Sequence, residues 1–187
     1  MTRITKYVAA TAVAAAVLAA PATAYASAPV KAPAAGAATV APASHSAPAV
    51  RVVAPGERVR ALPGVDVWLT PEGKYWSTPE IGEQFRSVVD GNLDTSRPGV
   101  SFQAEPVGDR YFLSGIYYGT HRTAAVKVVT AYGTVNAKLL QLPGRPGWGV
   151  WYTTSALPDS PQFPDTFFRS VTAYDAAGRT ITSLPLD

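Results

Sequence analysis

Residues 124–142 read AAVKVVTAYGTVNAKLLQL, and this stretch decides the fold class. Valine, threonine and tyrosine dominate its first half, and they favour strands because branched and aromatic side chains pack well on a pleated surface. Gly133 follows Val129-Thr130-Ala131-Tyr132 and supplies the positive φ that a tight hairpin turn requires. The pattern predicts two strands joined by a turn.

The same arrangement extends on both sides of this hairpin. Val171-Thr172-Ala173-Tyr174 repeats the tetrapeptide before another glycine turn, which we interpret as a second hairpin with similar packing rather than an internal repeat. Short runs rich in Val, Tyr, Phe, Trp and Thr, spaced regularly by turn residues, predict a mostly β domain, an antiparallel β-sandwich of immunoglobulin-like or related type. The predicted strands are Val65 to Thr70, Lys74 to Trp76, Val100 to Glu105, Tyr111 to Tyr118, Ala124 to Tyr132, Thr134 to Leu142, Gly149 to Ser155, Phe167 to Tyr174 and Thr180 to Leu184.

One segment departs from the β pattern. Ser77-Thr78-Pro79-Glu80 offers a capping hydroxyl, a proline in the first turn and an early carboxylate. Apolar residues then fall at helical spacing, namely Ile81, Phe85, Val88 and Val89. This pattern predicts one short helix from Pro79 to about Asp90, with Ile81 and Phe85 packed on the sheet.

The amino terminus predicts export. Arg3 and Lys6 precede an apolar run from Val8 to Ala20, and Ala24-Tyr25-Ala26 has small residues at the alternate positions that a signal peptidase accepts. The run is shorter than the roughly 20 residues that a membrane-spanning helix needs. We therefore expect residues 1–26 to be a cleaved signal peptide and the protein to be secreted, without a membrane span after cleavage.

The segment from residue 27 to residue 60 consists mostly of Ala, Pro, Val and Ser. Dense proline removes backbone donors and fixes φ, which favours an extended, unpacked chain. We expect a disordered linker over 27–60 and a folded domain over 61–187. No cysteine is present in the 187 residues, so neither disulfides nor thiolate chemistry contributes.

The net charge of +3 does not indicate nucleic-acid binding. Six of the 16 basic residues precede residue 64, and residues 64–187 carry 10 basic and 12 acidic side chains, a net charge of −2. The basic side chains of the domain are scattered singly, whereas a nucleic-acid binder clusters them. We expect no nucleic-acid partner.

Catalytic and metal-binding motifs are not apparent. His45 and His121 are the only histidines, and no Gly-x-Ser-x-Gly nucleophile motif occurs. The stretch Asp90-Gly91-Asn92-Leu93-Asp94 begins like a calcium loop, but it lacks the later glycine and glutamate that such a loop requires. No pair of carboxylates is singled out for acid–base hydrolysis. We predict no catalytic residue, no metal site and no cofactor.

The aromatic residues are the better candidates for a binding surface. Val65, Val67 and Leu69 share one strand face, so Trp68 points to the other, and Trp151 is out of phase with its neighbours in the same way. These tryptophans either pack in the interior, as is usual in a small domain, or stand exposed as a flat platform that stacks on sugar rings or another protein. The candidate ligand-binding residues are Trp68, Tyr75, Trp76, Arg145 and Trp151.

Three motifs carry a resemblance to a known group of proteins. They are Phe85 to Asn92, Ser114 to Thr120 and, most specifically, Leu142 to Tyr152, which reads LPGRPGWGVWY. With these motifs the region from Val65 to Tyr174 resembles uncharacterised small secreted proteins of filamentous actinobacteria. The resemblance implies a secreted protein, and no activity, ligand or catalytic residue comes with it.

Three functions follow as alternatives from these observations. The first is a secreted, non-catalytic domain that binds an extracellular polysaccharide, a cell-wall component or a secreted protein through its aromatic residues. The second is an inhibitor of extracellular hydrolases that presents the proline-stiffened loop Leu157 to Pro161. The third, ranked last, is a small hydrolase that uses two carboxylates.

Overall fold

A computed structural model describes residues 50–157 and 167–186, and this part of the chain is all β, without a helix. Its strands form three sheets in which the pairings are antiparallel except one. None of the described segments forms a helix that could cross a membrane. The strands are β1 (Arg51–Val52), β2 (Val59–Leu62), β3 (Val65–Thr70), β4 (Gly73–Thr78), β5 (Gly82–Ser87), β6 (Gly99–Val100), β7 (Gln103–Val107), β8 (Arg110–Tyr118), β9 (Ala125–Thr130), β10 (Gly133–Asn136), β11 (Lys138–Gln141), β12 (Gly149–Ala156), β13 (Phe168–Tyr174) and β14 (Thr180–Pro185).

The central sheet has the order β1-β11-β12-β8-β6, with β7 also paired to β8. Its middle strand β8 is buried without interruption from Tyr111 to Tyr117. Alternate residues of a strand point to opposite faces, so continuous burial means that both faces are covered. Phe112 and Ile116 belong to a core shared with β3 and β4, whereas Leu113 and Tyr117 belong to a core shared with β9 and β13.

The two outer sheets have the orders β2-β3-β4-β5 and β10-β9-β13-β14. One nearly continuous strand passes from the second of them into the central sheet. Its first part, β10, pairs with β9, and its second part, β11, starts after one intervening residue and pairs with β12. Ala137 lies between the two strands and is buried. A strand that changes sheets in this way fixes the two layers relative to each other.

Two glycines in the central sheet make room for aromatic rings. Gly115 lies opposite Trp151, and Gly149 lies opposite Tyr117, across the β8–β12 pairing. A Cβ on Gly115 would overlap the Ser101 carbonyl and the Trp151 indole, and one on Gly149 would overlap the Tyr117 ring. The indole Nε1 of Trp151 thereby reaches the Ser101 carbonyl at 3.1 Å. These contacts explain why glycine and large aromatics alternate in the sequence here.

The helix expected from Pro79 to Asp90 is wrong. Residues 82–87 form β5, which pairs with β4 so that Phe85 lies opposite Tyr75, while Pro79, Glu80 and Ile81 form the turn. The helical spacing of Ile81, Phe85 and Val88 was coincidental, since Ile81 and Phe85 are exposed. Pairing with β4 overrides the local helix signals, and Gly82 takes the left-handed φ of 68° that the turn needs.

The linker ends earlier than expected. β1 and the first residues of β2 fall within 51–60, and Val53 and Val59 are buried in the core beside β3. Residues 51–60 therefore belong to the folded part. The predicted strand from Val100 to Glu105 is divided into β6 and β7. The expected signal peptide, the linker up to residue 49 and most of the loop Leu157 to Pro161 lie outside the described residues.

Candidate functional site

Trp68 and Tyr75 lie on the outer face of the β2–β5 sheet. Their rings stack at 5.4 Å between centroids, Phe85 packs on the far side of Tyr75 at 4.5 Å, and the Arg58 guanidinium covers Trp68 at 3.6 Å. Arg58 also pairs with Glu83 at 3.0 Å. Trp68 is only 6% exposed, so its ring face is occupied by neighbours within the protein. Of this row, Phe85 at the sheet edge is the most open.

Trp76 faces the interior instead. It belongs to the core between β4 and the central sheet, and the buried Lys74 ammonium lies 4.0 Å from its ring centroid. Lys74 Nζ donates to Gln103 Oε1 at 2.7 Å and to Ser114 Oγ at 2.8 Å. Burial lowers the pKa of Lys74 to about 7, because a charged ammonium loses its hydration there. This polar group is enclosed between sheets, away from the pockets described below.

Trp151 is completely buried in the core shared with β9 and β13. The indole stacks against Phe102 at 6.2 Å between ring centroids. Its position opposite Gly115 makes it a packing residue of the central sheet. The structure therefore does not bring the three predicted tryptophans together on one surface.

Arg145 is placed at one end of the molecule, where loops from all three sheets meet; we call this region the loop end. The connections there include those that follow β1, β3, β5, β8, β11 and β13. They lie at the same end because these strands run in the same direction within their sheets. Binding sites concentrate on such loops when a rigid scaffold holds them. Of the predicted site residues, Arg145 alone lies in a pocket at this end.

The loops after β8 and after β11 are fastened to each other. Thr120 N donates to the Gly147 carbonyl at 3.2 Å, and Arg145 Nη2 donates to the His121 carbonyl at 2.9 Å. The His121 ring lies against Gly147, where a Cβ would come within 3.2 Å of it. Gly147 also has a left-handed φ of 81°, so glycine suits this position on two grounds. These contacts define the position of His121.

Two pockets adjoin at His121, and we call them together the loop-end cleft. The first, the valine pocket, has a volume of about 410 Å³. Its walls combine the apolar side chains of Val88, Val89 and Trp148 with the polar groups of Thr95 and Thr120. These residues come from the loops of the β2–β5 sheet and of the central sheet. Val89 is largely exposed, whereas Trp148 is buried beneath the pocket. This half of the cleft offers a ligand both polar groups and the exposed side chain of Val89.

The second, the arginine pocket, has a volume of about 450 Å³. Its walls include Arg122, Thr123, Arg145, Asp175 and Arg179, contributed by the loops after β8, β11 and β13. This pocket therefore lies between loops of the central sheet and of the β10-β9-β13-β14 sheet. Three guanidinium groups in one concavity make this half of the cleft cationic.

Asp175 is committed to its own turn rather than to a ligand. Its Oδ1 accepts hydrogen bonds from the Ala177 and Arg179 amides at 2.9 Å, and its Oδ2 accepts from Arg179 Nε at 2.8 Å. The hydrogen bond from the Arg179 amide, followed by that from its side chain, holds the pKa of Asp175 below its usual range. The carboxylate thus neutralises Arg179 and leaves Arg122 and Arg145 uncompensated.

Catalytic chemistry has little support in the part of the chain that the structure describes. No group of three or more His, Asp or Glu side chains there could hold a metal ion. The candidate calcium segment forms a local turn instead, in which Asp90 accepts hydrogen bonds from the backbone and side chain of Asn92. His121 has no carboxylate within salt-bridge distance among the same residues.

Sequence reasoning missed most of the cleft. The candidate residues from the sequence did not include His121, Arg122 or Arg179. The available signal was indirect: each of these residues follows a predicted strand, and loops that follow parallel-running strands share one end of a sheet domain.

A comparison of the chain with protein-family models, curated proteins and solved structures finds no match in any of the three.

Proposed function

We propose that this protein is a secreted, non-catalytic binding domain that holds an extracellular polysaccharide, a cell-wall component or a secreted protein in the loop-end cleft. One observation carries the proposal: the loops of all three sheets converge on two pockets that adjoin at His121, one of mixed lining and one cationic. Concave sites with apolar side chains and a few placed polar groups are the usual form of ligand pockets.

The rigidity of the cleft supports this proposal. The contacts of His121 with Arg145 and Gly147 join two loops of different strand pairs. Gly119 packs so closely on the Arg97 carbonyl that a Cβ would overlap it, which joins a third loop to the same end. Preformed loops lose little conformational entropy on binding, and this favours affinity.

The aromatic platform is no longer the leading site. Trp76 and Trp151 are enclosed in the two cores, and Trp68 is covered by Arg58 and Tyr75. Stacking on a sugar needs an open ring face, and these three rings do not offer one. The inhibitor hypothesis depends on a loop that lies largely outside the described residues, so it stays an alternative, as does the hydrolase.

The finer fold assignment is also a proposal. Two separate cores, one on each face of the central sheet, support a layered sandwich related to immunoglobulin-like domains. Export and the resemblance to small secreted actinobacterial proteins stay predictions from the sequence. Secretion is tested by fractionating an expressing cell and sequencing the amino terminus of the protein found in the medium.

The binding proposal is tested by cosedimentation of the purified protein with insoluble polysaccharides and envelope fractions. Val89→Asp replaces an exposed apolar side chain of the valine pocket with a charge. We expect it to weaken retention about tenfold, equivalent to about 1.4 kcal/mol. Ile81→Asp is the matched control, because Ile81 is also an exposed apolar residue beside β5, but at the opposite end of that strand.

Three results would contradict the proposal in whole or in part. Equal loss of retention in Val89→Asp and Ile81→Asp would show that general surface hydrophobicity, and not the cleft, causes retention. Release of soluble sugar at a catalytic rate from the sedimented material would favour the hydrolase instead. Retention of the wild type on no polysaccharide or envelope fraction would remove the polymer and cell-wall classes of ligand.

A further inference from the structure

We propose that the arginine pocket binds an oxyanion, a carboxylate or phosphate group carried by the ligand of the loop-end cleft. The identity of that ligand rests on the proposed function, whereas the anion site is argued from its own residues. Arginine presents a planar fork of N–H donors that matches the two oxygens of a carboxylate or phosphate.

Uncompensated charge is the first argument. Among the described residues, Arg122 and Arg145 have no carboxylate partner, whereas Arg179 is paired with Asp175. The side chains of Arg122, Arg145, Arg179 and Asp175 give the pocket walls a net charge of +2, whereas residues 51–187 as a whole carry 13 basic and 13 acidic side chains and no net charge. Like charges held close together repel, and a bound anion relieves that repulsion.

The backbone of Arg145 is the second argument. Its φ is 55°, and it is the only residue other than glycine with a positive φ in the part of the chain that the structure describes. This conformation disfavours residues with a Cβ, because the Cβ comes too close to the following carbonyl oxygen. Its guanidinium is held by the hydrogen bond from Nη2 to the His121 carbonyl, which uses one of five N–H donors. A costly conformation that fixes a charged fork at a pocket wall is typical of a ligand site.

Thr123 is the third argument. Its side chain lines the same pocket and is 8% exposed, yet its Oγ1 has no hydrogen-bond partner among the described residues. A buried hydroxyl without a partner is destabilising. A hydroxyl can donate to an oxyanion, and because this oxygen is itself buried, the side chain has to change its rotamer to turn it toward the pocket.

The size of the pocket indicates how the anion is presented. Its volume of about 450 Å³ lies in the range of pockets that hold small organic molecules. The adjoining valine pocket continues the cleft beyond His121. These dimensions fit an acidic sugar or a phosphorylated sugar, with the charged group among the arginines and the remaining part of the ligand toward Trp148.

The test uses isothermal titration of the purified protein with four probes: inorganic phosphate, glucose 6-phosphate, glucuronate and glucose. We expect saturable binding of at least one of the two anionic sugars, weaker binding of phosphate and no binding of glucose. Whether the phosphorylated or the carboxylated sugar binds more tightly distinguishes the two sources of the oxyanion. The Nε–Hε resonances of the pocket arginines, followed by NMR, should shift on titration.

Variants separate a built site from diffuse charge. Arg145→Lys keeps the charge but loses the fork, and we expect about a tenfold loss of affinity. Arg122→Gln and Thr123→Val should each weaken binding several-fold, since the first removes a positive charge with its guanidinium and the second removes a hydroxyl donor. Arg169→Gln is the matched control, because Arg169 is an exposed arginine near the start of β13, at the opposite end of that strand from Asp175, and it should bind as the wild type does.

Three results would overturn the anion site: no saturable binding of any anionic probe, equal binding of glucose, or equal weakening by Arg169→Gln and Arg122→Gln. Thermal unfolding of each variant identifies a loss that comes from misfolding, and Arg122, which is exposed, keeps the test informative if Arg145→Lys does not fold. Anion binding without retention on any polymer would leave this inference standing and contradict the polymer and cell-wall forms of the proposed function. Retention on a polymer without anion binding would leave the proposed function standing and contradict the anion site.

Discussion

The two faces of the central sheet achieve burial by different means. Toward β2–β5, the core includes an ammonium group, since Lys74 reaches Ser114 on β8 and Gln103 on β7. Toward β9 and β13, aromatic rings lie over glycines, as Trp151 does over Gly115. One face depends on satisfying a buried polar group, and the other depends on close fit. Adjacent residues of the same strand, Ser114 and Gly115, serve these two purposes.

This difference predicts two kinds of sensitivity. A close-packed interior responds to added volume, because neighbouring atoms have no room to move. A buried charge responds to pH, because its proton equilibrium differs between the folded and unfolded chain. Substitutions on the two faces should therefore differ in their pH dependence as well as in their size.

The largest effect is expected for Gly115→Ala. The added Cβ would overlap the Ser101 carbonyl and the Trp151 indole, so strand β8 and the Ser101 segment must separate. We expect a loss of about 3–5 kcal/mol in the free energy of unfolding, measured by urea denaturation. Gly108→Ala is the graded control: its Cβ meets open space, and its left-handed φ of 57° alone should cost about 1 kcal/mol. Equal losses in the two variants would refute the close-fit explanation.

A smaller effect is expected for Trp151→Phe. The smaller ring leaves a cavity and removes the hydrogen bond from Nε1 to the Ser101 carbonyl. We expect a loss of about 2–3 kcal/mol that does not vary with pH between neutral and mildly alkaline conditions. Chemical denaturation at several pH values checks this. A loss that changed with pH would mean that this face also contains a titrating group.

The third prediction concerns Lys74, and its expected change in stability per pH unit is the smallest of the three effects. Burial lowers its pKa to about 7 in the folded protein from 10.5, so above pH 7 the unfolded chain binds more protons than the folded one. Stability should consequently rise with pH between these two values, by at most about 1.4 kcal/mol per pH unit. The loss of stability that comes from burying the charged ammonium is fully present below pH 7, and it declines as the pH approaches 10.5.

Lys74→Met tests this directly, because methionine has a similar length and no charge. We expect the variant to lose the rise in stability, measured by urea denaturation across the alkaline range below tyrosine ionisation. Lys138→Met removes an exposed lysine of the central sheet and should keep the wild-type slope. If both variants kept the slope, the pH dependence would belong to another group.

The strands were largely predictable from the sequence, for an identifiable reason. Val65, Val67 and Leu69 alternate strictly, and β3 has the bounds that this alternation predicted. The helix failed because Ile81 and Phe85 fit either period, and only the pairing of Phe85 with Tyr75 decides between them. Local patterns do not contain that partner. Val53, by contrast, gave no periodic signal, because β1 is only two residues long.

The cleft was hardly predictable. The position of Arg145 at a loop tip could be inferred from Gly144 and Pro146, but its neighbours could not. Arg122 and Arg179 are 23 and 34 residues away in the sequence, and they meet Arg145 only because of the strand order in two different sheets. Likewise, alternation placed Trp151 opposite its neighbours, yet only the third sheet shows that this side is also buried.

The parallel pairing of β1 with β11 gives the cleft a support at the edge of the central sheet. β11 runs toward the loop that carries Arg145, and β1 runs the same way, so the connection after β1 starts at the cleft end. Val53 N donates to the Gln141 carbonyl at 2.9 Å, and Gly56 N donates to the Leu69 carbonyl at 2.8 Å. One short connection thereby fastens the end of β3 to the end of β11, two strands of different sheets whose loops line the cleft.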